Sequence, residues 1–374
     1  MENILVFYGG TSPERDVSVI TGVFTLNSFD KTKFKAIPVY IHSDGVFYTG
    51  DELKNLNFYK QRELKKCYRV VLLPGSRKLY RLTKNKLKEL CEVDCAINCL
   101  HGTGGEDGTL AGILKNCRIP LASPDLFASA MSIDKHFTKL ALKAIGVNQV
   151  EYVKIKRDGF FAHSEGSCRV IGNRLGYPII VKPANLGSSI GIKRVNDEKE
   201  LFSALCEAFN YDCKAICEKY IENATELNCA AYSADGTIVV SELEQPYTEH
   251  DILTFDDKYS GSKSGETRKN FPADVDPALR DKVRAIASKI YSEFDFFGLV
   301  RFDFLIDGNI VYLNEINAVP GSLAYYLFCR KISEFTELLT GLVRDAEKKQ
   351  RETDNRVSSF QSQVLSGNWQ SIKK

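Results

Sequence analysis

Continuous apolar runs alternate with amphipathic segments over most of the chain. Residues 4–8 (Ile-Leu-Val-Phe-Tyr) form such a run, which is typical of a strand buried on both faces of a parallel sheet. Two glycines end it, and Ser12 followed by Pro13 predicts a helix that extends to about residue 26. A strand, a glycine turn and a helix in this order predict an open α/β lobe whose ligand lies near the carboxyl end of the strand.

Further apolar runs predict strands at residues 36–48, 69–74 and 93–100, and a helix at 109–115. Between the last strand and this helix lies His-Gly-Thr-Gly-Gly-Glu-Asp-Gly, residues 101–108. Its glycines permit positive φ angles and close approach of the backbone to a ligand. The segment is interpreted as a binding loop, and the alternative is a surface turn.

A second glycine-rich segment lies in the middle of the chain. A helical pattern over residues 125–145 is followed by an apolar strand at 177–183 that carries Lys182. The loop 187–191, which is rich in Gly and Ser, then leads into another strand. No helix and no Gly-Lys-Ser/Thr ending follow, so this is not a Walker A loop. Backbone N–H groups of such a loop can still bind phosphates, although Lys182 taken alone is more typical of a solvated surface lysine.

The remaining segments continue the alternation of helices and strands. The pattern predicts helices at 169–175, 198–209 and 276–294, strands at 192–195 and 215–221, a hairpin around residues 235–236, a polar lid or insertion at 247–270, and a helix ending near 348.

The most informative stretch is a predicted hairpin at residues 299–321. Arg301, Asp303, Glu315 and Asn317 interrupt two otherwise apolar strands. A three-residue loop, Asp-Gly-Asn, places Arg301 opposite Glu315 and all four polar groups on one face, whereas a two-residue loop separates the two pairs. Oxygen ligands of this kind suit Mg²⁺ with phosphates, and the alternative is a structural salt bridge.

Composition narrows the class of protein. The chain has 374 residues, 44% of them hydrophobic and 26% charged, as in a soluble protein of two or three lobes. A net charge of +2 without a Lys/Arg block argues against a nucleic-acid partner. No apolar run is long enough to cross a membrane, and a cytoplasmic location is expected. The eleven scattered cysteines lack zinc-site spacing and are expected to be reduced thiols.

Seven motifs in a fixed order give the chain a family resemblance. They are Tyr-Gly-Gly-Thr-Ser-Pro-Glu-Arg-Asp-Val-Ser at 8–18, the 101–108 loop, Ser-Ala-Met-Ser-Ile-Asp-Lys at 129–135, Val-Lys-Pro-Ala-Asn-Leu-Gly-Ser-Ser-Ile-Gly at 181–191, Lys-Tyr at 258–259, Arg-Phe-Asp at 301–303 and Asn-Glu-Ile-Asn-Ala-Val-Pro-Gly at 314–321. Over residues 4–344 the chain resembles the D-alanine–D-alanine ligases of the ATP-grasp superfamily.

The resemblance implies a fold of mixed α/β and α+β class with three lobes. An N-terminal open parallel α/β domain, the pre-ATP-grasp domain, would bind substrate and form a dimer. The implied boundaries are 1–121 for this domain, 122–214 for the central ATP-grasp lid subdomain, 215–348 for the C-terminal ATP-grasp subdomain with the magnesium site, and 349–374 for a polar tail.

The resemblance also implies an ATP and magnesium site. Lys135, Lys182 and Ser189 would lie at the ATP phosphates, and Lys258 would help the 247–270 lid to close over them. The adenine and ribose would be held by Glu218, Ile221 and Glu226. Two Mg²⁺ ions, replaceable by Mn²⁺, would bind to Asp303, Glu315 and Asn317.

The implied substrate site lies beside it. Glu14 would receive the ammonium of the first amino acid, although a carboxylate there is also ordinary at a helix start. Glu14, Ser188 and Tyr259 would form a hydrogen-bonded triad, and Arg301 would stabilise the transferring phosphate. Further substrate contacts are implied for His101, Gly321, Tyr326 and Leu327.

The implied reaction joins two D-alanines with ATP through an acyl phosphate, for peptidoglycan synthesis, in a cytoplasmic homodimer. Two departures stand out: Tyr326 occupies the position of a serine that usually binds the second carboxylate, and Asn-Ala-Thr-Glu at 223–226 replaces Gly-x-Glu. D-serine, D-lactate or another amino acid is therefore an alternative second substrate, although Lys258 and Tyr259 favour a dipeptide product. A non-catalytic nucleotide-binding protein is the other alternative.

Overall fold

The computed structural model describes residues 1–61, 64–84, 86–246, 269–357, 360 and 362. Two predicted site residues, Lys258 and Tyr259, lie outside the described residues, as does most of the predicted 247–270 lid.

The first lobe is built on a seven-stranded sheet. Its strands are β1 Glu2–Gly9, β2 Phe34–Ile41, β3 Phe47–Thr49, β4 Tyr68–Leu72, β5 Lys78–Leu82, β6 Leu87–Glu92 and β7 Cys95–Asn98. β1 pairs in parallel with β2 and β7, and β3 to β6 extend the β2 edge as antiparallel strands. Both strands that lead into the predicted binding loops, β1 and β7, therefore end at the same edge.

A four-stranded antiparallel sheet forms the middle of the molecule. Its strands are β8 Tyr152–Lys156, β9 Ile179–Pro183, β10 Lys193–Val195 and β11 Lys214–Lys219, in the order β10-β9-β11-β8. The strands are apolar on the side that faces their helices, and Phe160, Leu201 and Phe209 close a core there. The opposite face is left for polar side chains.

A second antiparallel sheet carries the predicted hairpin. It consists of β12 Thr225–Ala234, β13 Thr237–Val240, β16 Val300–Asp307 and β17 Ile310–Asn317, and a short pair, β14 Gln245–Pro246 and β15 Lys269–Asn270, lies beside it. The order is β13-β12-β16-β17, so β16 is an inner strand. Phe302 and Phe304 pack beneath it against a helix in a continuous core.

The α-helices of the described residues connect and cover these sheets. They are α1 Arg15–Ser28, α2 Leu56–Gln61, α3 Thr109–Asn116, α4 Leu126–Ile133, α5 Lys135–Ala144, α6 Arg157–Ala162, α7 Ser164–Leu175, α8 Glu198–Tyr211, α9 Pro277–Glu293 and α10 Ile332–Asp354, with 3₁₀ turns at Asp51–Lys54, Leu64–Lys66 and Gly321–Leu327.

Helix α10 joins the C-terminal lobe to the first lobe. Its Phe335 and Leu339 are fully buried in the same core as Val6 of β1 and Leu323 of the 3₁₀ turn. Each such side chain contributes about 1.5–3 kcal/mol of hydrophobic free energy. The 3₁₀ turn that follows the hairpin is thereby held against the first lobe.

Several predicted boundaries were wrong. The helix α1 begins at Arg15 and not at Pro13, and the predicted 36–48 strand is two strands, β2 and β3, separated by a turn. The predicted 125–145 helix is interrupted at Asp134, whose carboxylate accepts hydrogen bonds from the first N–H groups of α5. The antiparallel strands β5 and β6 were not predicted, because their exposed polar residues mask the strand pattern.

The polar tail was also predicted to begin too early. Helix α10 continues to Asp354, where Arg77 and Arg118 of the first lobe both pair with the carboxylate. These contacts join residues more than two hundred positions apart, so a local pattern does not reveal them.

We expect Gly22→Ala to lower the thermal unfolding midpoint, at a cost of about 1–3 kcal/mol from overpacking. A Cβ at Gly22 would overlap the side chain of Tyr8, which is fully buried and donates a hydrogen bond to the Leu53 carbonyl. Differential scanning calorimetry measures the change.

The matched control is Gly341→Ala, in the exposed middle of α10, where a Cβ meets no atom within 4 Å. Removing a helical glycine there should raise stability by up to about 1 kcal/mol. An unchanged or higher midpoint for Gly22→Ala would contradict the packing argument.

Candidate active site

Strands β16 and β17 bring four polar side chains onto one face of their sheet. Arg301 lies opposite Asn317, and Asp303 lies opposite Glu315. The Nε and Nη2 of Arg301 donate to the two oxygens of Asp303 at 2.7 and 2.9 Å, and Asn317 Nδ2 donates to the same carboxylate at 2.9 Å. The prediction that these residues share one face is confirmed.

The loop is the two-residue alternative, and the strand pairing differs from that expected for either loop. Asp307 pairs with Ile310, so the loop has two residues and, continued regularly, would put the two polar pairs on opposite faces. A β-bulge between Asp303 and Phe304 shifts the register, and Asn314 is the extra residue on β17. One inserted residue moves the side chains that follow it along β17 to the other face of the sheet. The bulge therefore brings Glu315 and Asn317 onto the face of Arg301 and Asp303.

The bulge also places Asn314 at a buried cluster of charges. Its Oδ1 accepts a hydrogen bond from Lys182 Nζ at 2.9 Å. The same Nζ lies 2.5 Å from Glu218 Oε2, and Glu218 Oε1 lies 2.7 Å from Lys139 Nζ. Lys139, Lys182 and Glu218 are each less than one-tenth exposed, so this carboxylate bridges two buried ammonium groups.

Electrostatics keep this cluster ionised. Burial favours the neutral form of Glu218, but the charges of Lys139 and Lys182 outweigh it and lower the pKa to about 2. Burial lowers the pKa of Lys139. The charge of Glu218 opposes this shift, and the charges of Lys182 and Lys135 reinforce it. Around Glu218 there are thus more positive than negative charges, an arrangement that suits a polyanion.

Lys135 connects this cluster to the hairpin and to the Gly/Ser loop. Its Nζ donates to the Leu186 carbonyl at 2.7 Å and lies 3.2 Å from Glu315 Oε1. Its backbone N–H donates to the Ala184 carbonyl at 3.0 Å. The start of α5 is therefore tied to both sides of the site.

The oxygen atoms at the hairpin fit a hard divalent cation. Asp303, Glu315 and Asn317 supply two carboxylates and one amide oxygen from neighbouring register positions. The described part of the chain has no cluster of three or more His, Cys, Asp or Glu side chains arranged for a metal. An ion at these oxygens would compete with Arg301 for Asp303 and with Lys135 for Glu315.

Another carboxylate of the site, Glu14, lies at the start of α1. The Ser188 hydroxyl donates a short hydrogen bond to Glu14, which is 4% exposed. Ser188 adopts a left-handed φ of 52°, and the neighbouring Gly187 leaves room that a side chain would fill against the Glu14 carboxylate. Two parts of the predicted triad are in contact, and Tyr259 is outside the described residues.

Glu106, from the glycine-rich loop after β7, adds a further carboxyl group. Its Oε2 accepts from the Gly102 N–H at 2.8 Å and its Oε1 from the Val319 N–H at 3.0 Å. Burial, followed by the charge of Glu14, raises the pKa of Glu106 to about 8 despite these two hydrogen bonds. The loop is thus attached to the segment that follows β17.

His101 is part of a second connection between the loop and this segment. Thr21 Oγ1 accepts from the Ser322 N–H at 3.0 Å and lies within hydrogen-bond distance of His101 Nε2, at 3.0 Å. Burial, followed by the charge of Arg301, lowers the pKa of His101 to about 4. The imidazole is therefore neutral at neutral pH.

The segment after Gly321 has a strained backbone. Ser322, Leu323 and Ala324 have φ angles of 49°, 50° and 46°, a left-handed turn that costs about 1–2 kcal/mol per residue for side chains with a Cβ. Such strain persists only where packing over-determines it, and Leu323 and Ala324 are buried. Further along, Tyr326 donates to Glu244 Oε2 at 3.1 Å, and burial raises its pKa.

These groups surround a cavity of about 250 Å³ between the first lobe and the hairpin sheet. The predicted site residues that line it are Glu14, His101, Lys135, Ser188, Glu226, Arg301, Glu315, Asn317, Gly321 and Tyr326. Its lining combines Glu14 and Glu106 of the first lobe with Lys135 and the hairpin residues Arg301, Glu315 and Asn317. It can accommodate a small zwitterion next to a phosphate group.

Other predicted residues lie outside this lining. Asp303 lies behind Arg301, and Lys182 and Glu218 lie in the cluster described above. Ser189 and Ile221 are partly exposed and do not line the cavity. Leu327 is buried in the core shared with α10, so the structure does not support a direct substrate contact for it.

Sequence reasoning missed Lys139, Glu106, Glu244 and Asn314 at the site. Lys139 has a local signal, since it is four residues after Lys135 and so lies on the same helix face. Glu106 lies within a quoted motif but received no role. Asn314 contacts Lys182 because of the bulge, which the sequence does not show. Glu244 follows β13 in a stretch without a recognisable pattern.

The comparisons with known proteins agree with this geometry. Residues 3–124 match the family D-ala D-ala ligase N-terminus, and residues 141–344 match the D-ala D-ala ligase C-terminus. A D-alanine–D-alanine ligase of Thermosipho melanesiensis is 35% identical over 370 residues, which cover 98% of each chain.

Two solved structures are similar throughout. The D-alanine–D-alanine ligase of Helicobacter pylori has a TM-score of 0.75 at 29% identity, covering 92% of this chain and 98% of its own. The VanG D-Ala:D-Ser ligase of Enterococcus faecalis has a TM-score of 0.76 at 26% identity, covering 91% and 99%.

Fold and site together define a ligase of the ATP-grasp class. Within that class, the chain belongs to the D-alanine–D-alanine ligase family, as its motifs indicated. In the described residues, no helix has the length and apolar character needed to cross a membrane, and all eleven cysteines are free thiols, as expected.

We expect Glu106→Gln to flatten the fall in stability with rising pH. The folded-state pKa of Glu106, about 8, is above its ordinary value of 4.5, so the folded protein retains a proton that the unfolded chain has lost. This contribution is fully present below pH 4.5 and is lost as the pH rises through about 8. Unfolding midpoints measured across this range for both proteins provide the test.

Glutamine has nearly the same shape and does not titrate, but its amide nitrogen would face one of the two backbone N–H groups that Glu106 accepts from, so the test compares the slopes of the pH profiles and not the absolute midpoints. Parallel pH profiles for the two proteins would show that Glu106 ionises normally in the folded state.

Proposed function

We propose that this chain joins two D-alanine molecules into D-alanyl-D-alanine, with ATP converted to ADP and phosphate, for peptidoglycan synthesis. The observation that carries the proposal is a cavity whose lining combines the Glu14 carboxylate with the cations Lys135 and Arg301 and with Glu315. The Glu14 carboxylate matches the ammonium of an amino acid, and the two cations match a carboxylate that is activated by phosphorylation. Family membership and relatives with this activity in their names support it.

The first amino acid would be held by its ammonium group. Glu14 is buried and oriented by Ser188, so an ammonium ion there gains a strong interaction in a water-poor site. Tyr259 would complete the triad. His101, Gly321 and Tyr326 would line the remaining space.

ATP would bind with its phosphates at Lys135, Lys182, Ser189 and Lys258, and with its adenine and ribose at Glu218, Ile221 and Glu226. Asp303, Glu315 and Asn317 would hold two Mg²⁺ ions, for which Mn²⁺ is an alternative. Magnesium, when bound, neutralises charge on the phosphates. Lys135 would then exchange Glu315 for a phosphate oxygen.

The reaction has two steps. A carboxylate oxygen of the first D-alanine attacks the γ-phosphorus, the bond to the ADP oxygen breaks, and an acyl phosphate forms. The amine of the second D-alanine then attacks the acyl carbon, a C–N bond forms, phosphate leaves and the amine loses a proton. Arg301, held in the sheet by Asp303, would stabilise charge on the transferring phosphoryl group.

The acyl phosphate is sensitive to water, so the segment 247–270 would act as a lid. The proposal includes a cytoplasmic location, a homodimer formed through the N-terminal domain, and domain boundaries at residues 121 and 214.

One observation favours a second candidate, the joining of D-alanine to a different amine. The single O–H of Tyr326 is donated to Glu244, so Tyr326 cannot donate to a second carboxylate without releasing that buried acid. The phenol oxygen can accept a hydrogen bond, which suits a hydroxyl-bearing amine such as D-serine.

The first test measures ADP and dipeptide from ATP and D-alanine alone. We expect equal amounts of both products, and a loss of about a hundredfold or more in rate for Glu315→Gln, because a charged oxygen at the phosphate end is removed. Glu337→Gln, on the exposed face of α10, is the control and should keep the rate. Turnover only with another amine would exclude D-alanine as second substrate.

The second test supplies D-alanine and D-serine together and quantifies both dipeptides by mass spectrometry. If Tyr326 accepts a hydrogen bond from the second amine, Tyr326→Phe should lower the share of D-alanyl-D-serine by about tenfold. A share that does not respond to this substitution would leave D-alanyl-D-alanine as the product that this site favours.

A further inference from the structure

Glu218 is shared by two lysines, of which only Lys182 was predicted to bind phosphate. Lys139 Nζ lies 2.7 Å from Glu218 Oε1, and Lys182 Nζ lies 2.5 Å from Glu218 Oε2. Each oxygen of one carboxylate is therefore paired with a different ammonium group. One lysine can therefore leave Glu218 while the other stays paired with it.

The two lysines differ in their surroundings. Lys139 is 3% exposed, and its Nζ also lies 3.5 Å from the Val150 carbonyl and 5.2 Å from the centre of the Tyr152 ring. It is enclosed on several sides by groups that do not line the main cavity. Lys182, in contrast, also donates to Asn314 on the hairpin that carries the proposed magnesium ligands.

A buried carboxylate that loses its only counter-ion is strongly destabilised. If Lys182 alone neutralised Glu218, a phosphate that attracts Lys182 would leave that carboxylate unpaired. With Lys139 in place, Glu218 keeps one ion pair while Lys182 interacts with the phosphate. The low pKa of Glu218 is consistent with a carboxylate that both lysines keep ionised.

We propose that Lys139 is a positioning residue for nucleotide binding: it holds Glu218 and thereby allows Lys182 to leave this carboxylate for a phosphate. The inference rests on the proposed function, because it requires that the site takes a nucleoside triphosphate. Lys139 itself does not contact the nucleotide.

The decisive measurement is the Kd for ATP by isothermal titration calorimetry. Lys139→Met should raise it by about tenfold or more, because Lys182 is then the only cation paired with Glu218 among the described residues. The matched control is Lys143→Met, one turn further along α5, where the lysine is exposed and outside the cluster. It should leave the Kd unchanged, and a Kd for Lys139→Met equal to that of the unsubstituted protein overturns the proposal.

A rescue experiment separates positioning from a general structural role. In the background of Glu218→Gln there is no carboxylate to neutralise, so adding Lys139→Met should change the Kd for ATP by less than about twofold. The double variant avoids an uncompensated buried carboxylate and remains informative even if Lys139→Met alone fails to fold. Equal losses in both backgrounds would mean that Lys139 acts independently of Glu218, which overturns the proposal.

The KM for D-alanine provides a further readout that distinguishes this role from misfolding. It should change less than about twofold in Lys139→Met, because Glu14 and Ser188 line the main cavity and are hydrogen-bonded to each other, whereas Lys139 and Glu218 do not line it. A parallel loss at both substrates overturns the specific role. Failure of the unsubstituted protein to bind ATP would instead overturn the proposed function and, with it, this inference.

Discussion

The one inserted residue on β17 is the constraint on which the site depends. Without the bulge between Asp303 and Phe304, the two-residue loop would place Asp303 and Glu315 on opposite faces of the sheet. With it, both carboxylates face the cavity side and Asn314 reaches Lys182 of a different lobe. A local irregularity in hydrogen bonding thus determines whether phosphate-binding and metal-binding groups can meet.

Around that face, the cations Arg301, Lys135, Lys139 and Lys182 are all paired with carboxylates. Arg301 is paired with Asp303, Lys135 with Glu315, and Glu218 with both Lys139 and Lys182. Desolvation makes such pairing necessary, since an isolated buried charge costs several kcal/mol. The same pairs connect α5, the middle sheet and the hairpin, so the groups that would bind a nucleotide also hold the lobes together before it binds.

The first lobe contributes its part of the cavity lining through backbone geometry more than through charge pairs. The loops after β1 and β7 end at one sheet edge and supply Glu14, His101 and Glu106. Thr21 and Glu106 bind backbone N–H groups of the segment after β17, and this helps to hold its left-handed turn. Tyr326, which ends that segment beside Glu244, lies where the second substrate is expected, and this is where a departure from the family pattern has the most direct chemical effect.

The sequence by itself determined the family, the fold class and most of the polar residues at the site, because glycine-rich loops and charged residues within apolar strands are local patterns with few alternatives. It did not determine the register of the hairpin, since the pairing depends on a bulge that no residue type in the strands predicts. Nor did it reveal Lys139, Glu244 or the contacts of Asp354, because these partners are far apart in the chain and meet only when the lobes pack. Tertiary structure alone decided which charges neutralise one another. The electrostatic free energy of an ion pair depends on burial and distance, and neither can be inferred from the local sequence.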